Sequence, residues 1–176
     1  QGLIIPGVGA FKHGMDKLLE NDLVDFLQDY GSSDKPILGI CLGMQMLFSQ
    51  STEFGTTKGL NLIEGTVDIL ANPLGKSLKL PHVCWSELKK NGSYEWGSTI
   101  LDGVSDGQDL YFVHSFVGKP IDEGHVLSYS EYEGVKFCST VKKGNIYGAQ
   151  YHPEKSGKEG LSIVKNFSDI CKELKL

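Results

Sequence analysis

The sequence contains no apolar run of membrane-spanning length and no signal-peptide pattern. A membrane-crossing helix needs about 20 mostly apolar residues, so we expect no membrane-embedded segment. Acidic side chains are in surplus, with a net charge of −5 over 176 residues. The chain therefore lacks the positive surface that attracts nucleic acids or anionic membranes, and we expect neither as a partner.

Closely spaced cysteines are also missing. The four cysteines form no CxxC pair and lie far apart, at Cys41, Cys84, Cys138 and Cys171. This spacing fits neither a zinc site nor a disulfide framework, so we expect no metal and a reducing, cytoplasmic location. An initiator methionine is absent as well. We expect a single domain over residues 1–176, because a chain of this length can bury a core without disulfides. We also expect that this domain lacks an N-terminal strand–helix segment.

Hydrophobic periodicity predicts alternating strands and helices. Apolar residues at helical spacing predict helices over 14–30 and 160–174, and another that begins after Cys41 and ends in a polar stretch at 49–57. Short buried runs predict strands at 3–5 and 37–40, and β-like runs follow at 66–70, 78–83, 110–113, 126–129, 135–141 and 146–151. The fold class is therefore α/β, a parallel central sheet flanked by helices with an antiparallel β-rich extension.

Residues 35–45 are typical of a reactive site. They read as a short buried strand, a tight turn and the start of a helix, with Cys41 at the turn between Gly39 and Gly43. A nucleophile elbow has this arrangement, because small neighbours let backbone approach the substrate. The helix N-terminus favours a thiolate at Cys41. The alternative is a buried and inert cysteine.

A second stretch supplies a candidate base. His152 and Glu154 flank Pro153, which cannot continue a sheet and so fixes the relation of the two side chains. A cysteine nucleophile needs a base that also protonates the leaving group, and a carboxylate orients that base. Among the histidines, only His152 has an acid fixed beside it; the rivals are His13, His82, His114 and His125. The alternative for 152–154 is a surface turn.

Three further segments are ambiguous when each is considered alone. The loop 6–9, with two glycines around Val8, suits either an anion-binding loop or an ordinary turn. Gln45 and Glu53 are most simply solvent-exposed. Trp85 is either a packed loop residue or part of a docking surface.

Together, the motifs at 6–9, 39–45 and 151–156 resemble the class I (triad) glutamine amidotransferases, along nearly the whole chain. The loop 6–9 with the segments 81–85 and 111–116 is similar to the glutaminase subunits of imidazole glycerol phosphate synthases. This resemblance implies a flavodoxin-like fold with no cofactor, and a Cys41–His152–Glu154 triad that hydrolyses glutamine. It also implies an oxyanion hole formed by Val8, Gly9 and Leu42. The residues that would bind glutamine are Gln45, Glu53, His114, Ser115 and Phe116.

The resemblance further implies a heterodimer with a (βα)8-barrel synthase subunit, reached through Pro81, His82 and Trp85. That subunit would use the ammonia to make imidazole glycerol phosphate and aminoimidazole carboxamide ribotide in histidine biosynthesis. The chain has Cys84 and Ser86 where the subfamily usually has Gly and Asn. These two differences leave open a paralogous glutaminase that feeds a sugar amidotransferase. Two further alternatives also stay open, a non-catalytic binding module and a cysteine hydrolase of peptides.

Overall fold

The structure, a computed structural model, describes residues 1–75, 77–92 and 95–174. Its α-helices in these ranges are α1 Phe11–Glu20, α2 Leu23–Ser32, α3 Leu42–Met46 and α4 Gly157–Glu173. Its strands are β1 Leu3–Gly7, β2 Ile37–Cys41, β3 Phe48–Ser51, β4 Thr57–Lys58, β5 Ile63–Ile69, β6 His82–Glu87, β7 Lys89–Lys90, β8 Asp109–His114, β9 Phe116–Pro120, β10 Val126–Tyr132, β11 Val135–Lys143 and β12 Ile146–Ala149. Short 3-10 helices span Glu123–His125 and Pro153–Lys155.

The central sheet has the order β1-β2-β12-β11-β10-β7. Its first three strands are parallel and the rest pair antiparallel. Strand β2 is buried throughout, because helices cover both faces of the sheet. Ile37 packs in the core formed with α1 and α2, whereas Leu38 packs in the core formed with α4. The predicted α/β class with a parallel centre and an antiparallel extension is confirmed.

Two smaller sheets complete the described part of the chain. One has the order β4-β3-β5-β9, and the other is the antiparallel pair β6-β8. In that pair His82 faces His114 and Trp85 faces Tyr111. The β6-β8 pair places residue 114 and the following residues beside the carboxyl ends of the central strands, where ligands bind in open α/β sheets.

Two predicted helices differ from the structure. The helix expected over 14–30 is two helices, because Asp22 adopts a left-handed conformation with φ of 55° and the Asn21 side chain caps the Lys17 carbonyl. The helix after Cys41 ends at Met46 instead of continuing to a polar stretch. The backbone beyond Met46 pairs with distant residues, for example the Phe48 carbonyl with the Asn61 N–H, and forms β3.

Two strand predictions are also corrected. The run at 78–83 is extended only from His82 onward, as part of β6. Strand β9 was not predicted, because it contains Gly118 and Pro120. A side chain on Gly118 would lie 2.4 Å from the ring of Phe48, so this glycine allows β9 to pack against a buried aromatic residue.

Candidate active site

Cys41 lies at the carboxyl end of β2 and directly precedes α3. Its backbone has φ of 52° and ψ of −109°, a conformation that costs a non-glycine residue on the order of 1–3 kcal/mol. Close packing holds it there: a side chain on Gly43 would lie 1.7 Å from the Ile5 carbonyl oxygen. Helix α3 therefore rests directly on the backbone of β1, and this contact fixes the sharp turn at Cys41.

His152 is anchored by its backbone to β8. Its N–H donates to the Tyr111 carbonyl at 2.9 Å, and its carbonyl accepts from the Ser156 hydroxyl at 2.7 Å. Ser156 in turn accepts from the Tyr111 N–H at 3.0 Å. The imidazole Nδ1 lies 2.8 Å from Glu154 Oε1. Because a carboxylate accepts, Nδ1 carries the proton and Nε2 keeps the lone pair that a general base uses.

One cavity of ≈ 420 Å³ brings the two halves of the site together. Cys41 and His152 both line it. The other lining residues are Val8, Gly9, Leu42, Gln45, Glu53, Phe54, Pro81, Val113, His114, Ser115, Phe116 and Lys155. The structure thus places every residue predicted for the oxyanion hole and for glutamine binding around a single cavity. Glu154 lies behind His152, half-exposed.

The electrostatics of Cys41 favour a neutral thiol. Burial raises its pKa to about 11, against a hydrogen bond from the Leu42 backbone that lowers it. Glu154 also raises this pKa, and Lys155 lowers it. At neutral pH the sulfur therefore carries its proton, which it donates to the Val113 carbonyl at 3.7 Å. Attack by this sulfur requires a base that removes the proton, which is the role available to His152.

Gln45 is buried in a network of side-chain amides. Its Nε2 donates to the Phe116 carbonyl at 3.0 Å and to Gln150 Oε1 at 3.1 Å. Gln150 Nε2 then donates to Cys41 Sγ at 3.8 Å. The Phe116 carbonyl can only accept, so it fixes the orientation of the Gln45 amide and, through it, that of Gln150. The interpretation of Gln45 as solvent-exposed is wrong.

Glu53 also has a specific partner. Its Oε2 accepts from the Phe11 N–H at 2.7 Å, and that N–H is an otherwise unpaired donor in the first turn of α1. The carboxylate thus stabilises the helix that follows the loop at Val8 and Gly9. The interpretation of Glu53 as a solvated loop residue is wrong, because the side chain lies between this helix and the cavity.

The residues predicted to contact a partner differ in exposure. Pro81 is exposed and borders the cavity, and Trp85 is 52% exposed beside Tyr111. His82 is fully buried, with its ring stacked on Phe112 and Tyr132. The prediction that His82 contacts a partner is therefore corrected, because its side chain presents no surface.

The sequence interpretation gave no role to several residues that the structure places in the site. Gln150 contacts the nucleophile, Ser156 anchors His152, and Lys155 and Val113 line the cavity. Gln150 directly follows a buried strand and precedes Tyr151 and His152, a position that could have identified it. Ser156 contacts Tyr111 on β8, and Val113 on β8 contacts Cys41; both pairs are distant in sequence and carry no local signal.

Within the described ranges, no helix combines the length and apolar character needed to cross a bilayer. Among the same residues, no three His, Cys, Asp or Glu side chains group as metal ligands.

Comparisons with known proteins agree with this geometry. A family model described as "Glutamine amidotransferase class-I" matches residues 1–170. The chain is 48% identical over 174 residues to proteins named imidazole glycerol phosphate synthase subunit HisH from Bacillus cereus (strain AH187) and Bacillus thuringiensis (strain Al Hakam), an alignment covering 99% of this chain and 78% of each relative.

Solved structures share the fold at low sequence identity. A crystal structure of a glutamine amidotransferase aligns with a TM-score of 0.67 and 18% identity, covering 97% of this chain and 79% of that one. A putative GMP synthase component from Thermoplasma acidophilum gives a TM-score of 0.65 at 23% identity, with 98% and 73% covered. The resemblance drawn from the motifs is confirmed: the chain belongs to the class-I glutamine amidotransferase family.

Proposed function

We propose that the chain hydrolyses glutamine to glutamate and ammonia, with Cys41 as the nucleophile. One observation carries this proposal: the Cys41 elbow and a His152 oriented by Glu154 border the same cavity. A thiol, a base with a free Nε2 and a carboxylate behind it are the parts that acyl transfer needs. The match of residues 1–170 to the class-I glutamine amidotransferase family model supports the same reaction.

The reaction proceeds in two balanced halves. His152 removes the Cys41 proton as Sγ attacks the side-chain carboxamide, and a C–S bond forms as the carbonyl oxygen becomes an oxyanion. His152 then returns that proton to the amide nitrogen. The C–N bond breaks, ammonia departs, and a γ-glutamyl thioester on Cys41 remains. Water then loses a proton to His152 and attacks the thioester carbonyl. The C–S bond breaks, glutamate is released, and His152 returns the proton to Cys41 Sγ, which restores the thiol.

Backbone N–H groups stabilise the oxyanion in this proposal. The Leu42 N–H, which already contacts Cys41, is one donor, and the loop at Val8 and Gly9 supplies the other. Removing one such donor typically costs about 3 kcal/mol of transition-state stabilisation. Gln45 and Glu53 hold the α-amino and carboxylate end of glutamine, and backbone around Ser115 and Phe116 completes the pocket.

The ammonia passes to a (βα)8-barrel synthase subunit, with which the chain forms a cytoplasmic heterodimer. That subunit makes imidazole glycerol phosphate and aminoimidazole carboxamide ribotide for histidine biosynthesis. The 48% identity to subunits of imidazole glycerol phosphate synthase over nearly the full chain supports this partner rather than a sugar amidotransferase. Pro81, exposed at the edge of the cavity, and Trp85, exposed on β6, are the proposed contact residues.

The test is a glutaminase assay of Cys41→Ala with the synthase subunit present. We expect ammonia and glutamate release to fall to background, while circular dichroism and partner binding remain unchanged. Cys171→Ser, a half-buried thiol on α4, is the matched control and should keep full activity. A diazo-norleucine electrophile should label Cys41 alone, and free glutamine should protect it. Unchanged ammonia release in Cys41→Ala would exclude the proposal.

A further inference from the structure

Two buried histidines form a continuous hydrogen-bonded chain behind the candidate active site. His114 Nδ1 lies 3.0 Å from the Phe116 carbonyl oxygen. His114 Nε2 lies 2.9 Å from His82 Nδ1. His82 Nε2 lies 3.0 Å from the Ser86 hydroxyl and 3.1 Å from the Cys84 sulfur. This series of hydrogen bonds thus runs from strand β6 to the Phe116 carbonyl, which also accepts from Gln45.

The Phe116 carbonyl, at one end of this series of hydrogen bonds, determines which atom donates in each of them. A carbonyl oxygen only accepts, so His114 Nδ1 carries a proton. A neutral imidazole has one N–H, so His114 Nε2 accepts and His82 Nδ1 must donate to it. His82 Nε2 then accepts, and its donor is the hydroxyl of Ser86 or the thiol of Cys84. Both rings therefore share the Nδ1–H tautomer, which histidine in water disfavours.

The surroundings keep both rings neutral and rigid. Burial lowers the pKa of His82 to about 4. Burial, with the adjacent His82, lowers the pKa of His114 to about 3. The His82 ring is stacked between Phe112 and Tyr132, at centroid distances of 5.2 Å and 4.2 Å. Neither ring can therefore rotate or take up a proton at neutral pH without loss of these contacts.

The relay side chains on β6 all lie on one face of that strand. His82, Cys84 and Ser86 project from the inner face of β6, and Val83 and Trp85 project from its outer face, where they are 50% and 52% exposed. A shift of β6 would change the His82 contacts first and the position of the Phe116 carbonyl next. Gln45 donates to that carbonyl and to Gln150, which contacts Cys41.

We propose that His82 and His114 are positioning residues, forming a one-way hydrogen-bond relay from Ser86 and Cys84 that holds the Phe116 carbonyl and thereby Gln45 in place for glutamine binding. The relay rests on the proposed glutaminase function, because the role of Gln45 toward glutamine belongs to that proposal. We expect it to act on substrate binding rather than on bond breaking, because the relay ends at the Phe116 carbonyl that also accepts from Gln45.

The first test measures the tautomers of the two histidine rings directly and needs no enzyme assay. Nitrogen-15 NMR of the histidine rings in the unmodified chain should show Nδ1 protonated and Nε2 unprotonated in both His82 and His114 at pH 7. An Nε2–H tautomer in either ring, or a charged ring, would overturn the relay. This result is independent of whether the chain releases ammonia, so it separates failure of the relay from failure of the proposed function.

The second test is kinetic and uses the complex with the synthase subunit. His82→Phe keeps the stacked ring shape and removes both nitrogens; we expect the glutamine KM to rise about tenfold with kcat changed less than about twofold. His82→Asn places an amide N–H near the Nδ1 position and should recover most of the loss. The matched control, Glu87→Gln on the outer face of the same strand, should leave both constants unchanged.

Other outcomes decide against the relay. An unchanged KM in a folded His82→Phe protein, or a fall in kcat alone, would overturn it. If thermal melting shows that His82→Phe does not fold, the double variant Cys84→Ala/Ser86→Ala replaces it, because these changes together remove both possible donors to His82 Nε2. We then expect a rise of the glutamine KM of about threefold, and an unchanged KM would again overturn the relay.

Discussion

At the scale of single residues, the site combines a neutral nucleophile with a base of fixed tautomer. Burial raises the pKa of Cys41, so in the proposed mechanism the thiolate forms as His152 takes the proton. Glu154 determines which nitrogen of His152 is available, because it lies 2.8 Å from Nδ1. The carboxylate also stabilises the imidazolium that appears after proton transfer.

Replacing this carboxylate tests its contribution. Glu154→Gln keeps the size of the side chain and an oxygen that can accept from His152, but removes the negative charge. We expect kcat for glutamine hydrolysis to fall about a hundredfold or more, with a smaller change in KM, in a coupled glutamate assay. Glu159→Gln, an exposed acid in the first turn of α4, is the control and should behave as the unmodified chain. Equal kcat in the two variants would rule out the orienting role.

The sequence was most informative where chemistry depends on neighbours in the chain. Cys41 with its flanking glycines, and His152 with Glu154, are each short local patterns, and the structure places them as expected. Gln45 and Glu53 were misread when judged by local pattern alone, because their partners are distant. The Gln45 amide contacts Phe116 and the Glu53 carboxylate contacts Phe11, and neither contact has a local signature.

At the scale of elements, long-range pairing decided what periodicity could not. The apolar pattern after Cys41 continues past Met46, but the backbone there pairs with 59–63 and becomes a strand. The break at Asp22 carried a local signal, since Asn and Asp tolerate the left-handed conformation. The burial of His82 depended on the pairing of β6 with β8, which the sequence could not supply.

The β6-β8 pair predicts how stability depends on pH. His82 and His114 have depressed pKa values of about 4 and about 3 in the fold, whereas the unfolded chain binds protons near pH 6.5. The unfolded state therefore holds more protons below that pH. The free energy of unfolding should fall as pH drops from about 6.5 toward 4, by up to about 1.4 kcal/mol per pH unit for each histidine.

Urea unfolding at pH 7.5 and pH 5 measures this effect. In His82→Phe the difference between the two midpoints should shrink, because one of the two buried groups is gone. His13→Gln, which changes an exposed histidine on α1, should keep the full difference. An equal difference in all three proteins would show that the buried histidines are not its source.

At the scale of the whole molecule, exposed apolar side chains lie close to the cavity. Val8 and Phe54 line it and are 76% and 90% exposed. Soluble proteins rarely leave large apolar groups clustered beside a site without a use for them. A partner that covers this side would exclude water from the reaction and retain the ammonia.

Trp85, 52% exposed on β6, is one of the residues proposed to contact that partner. Truncating a central tryptophan typically costs an interface about 2 kcal/mol or more, so we expect Trp85→Ala to give a roughly thirtyfold higher Kd for the synthase subunit. Leu161→Ala, an exposed apolar residue on α4, should leave that Kd unchanged. Calorimetry or surface plasmon resonance provides the measurement, and equal affinities would place the interface elsewhere.

The positive φ of Cys41 makes stability and the proposed activity compete at one position. Glycine adopts φ of 52° without penalty, whereas cysteine gives up on the order of 1–3 kcal/mol to stand there. The most stable residue for this turn would therefore be an inert one. If Cys41 is the nucleophile, as proposed, replacing it with glycine should stabilise the fold while abolishing the reaction.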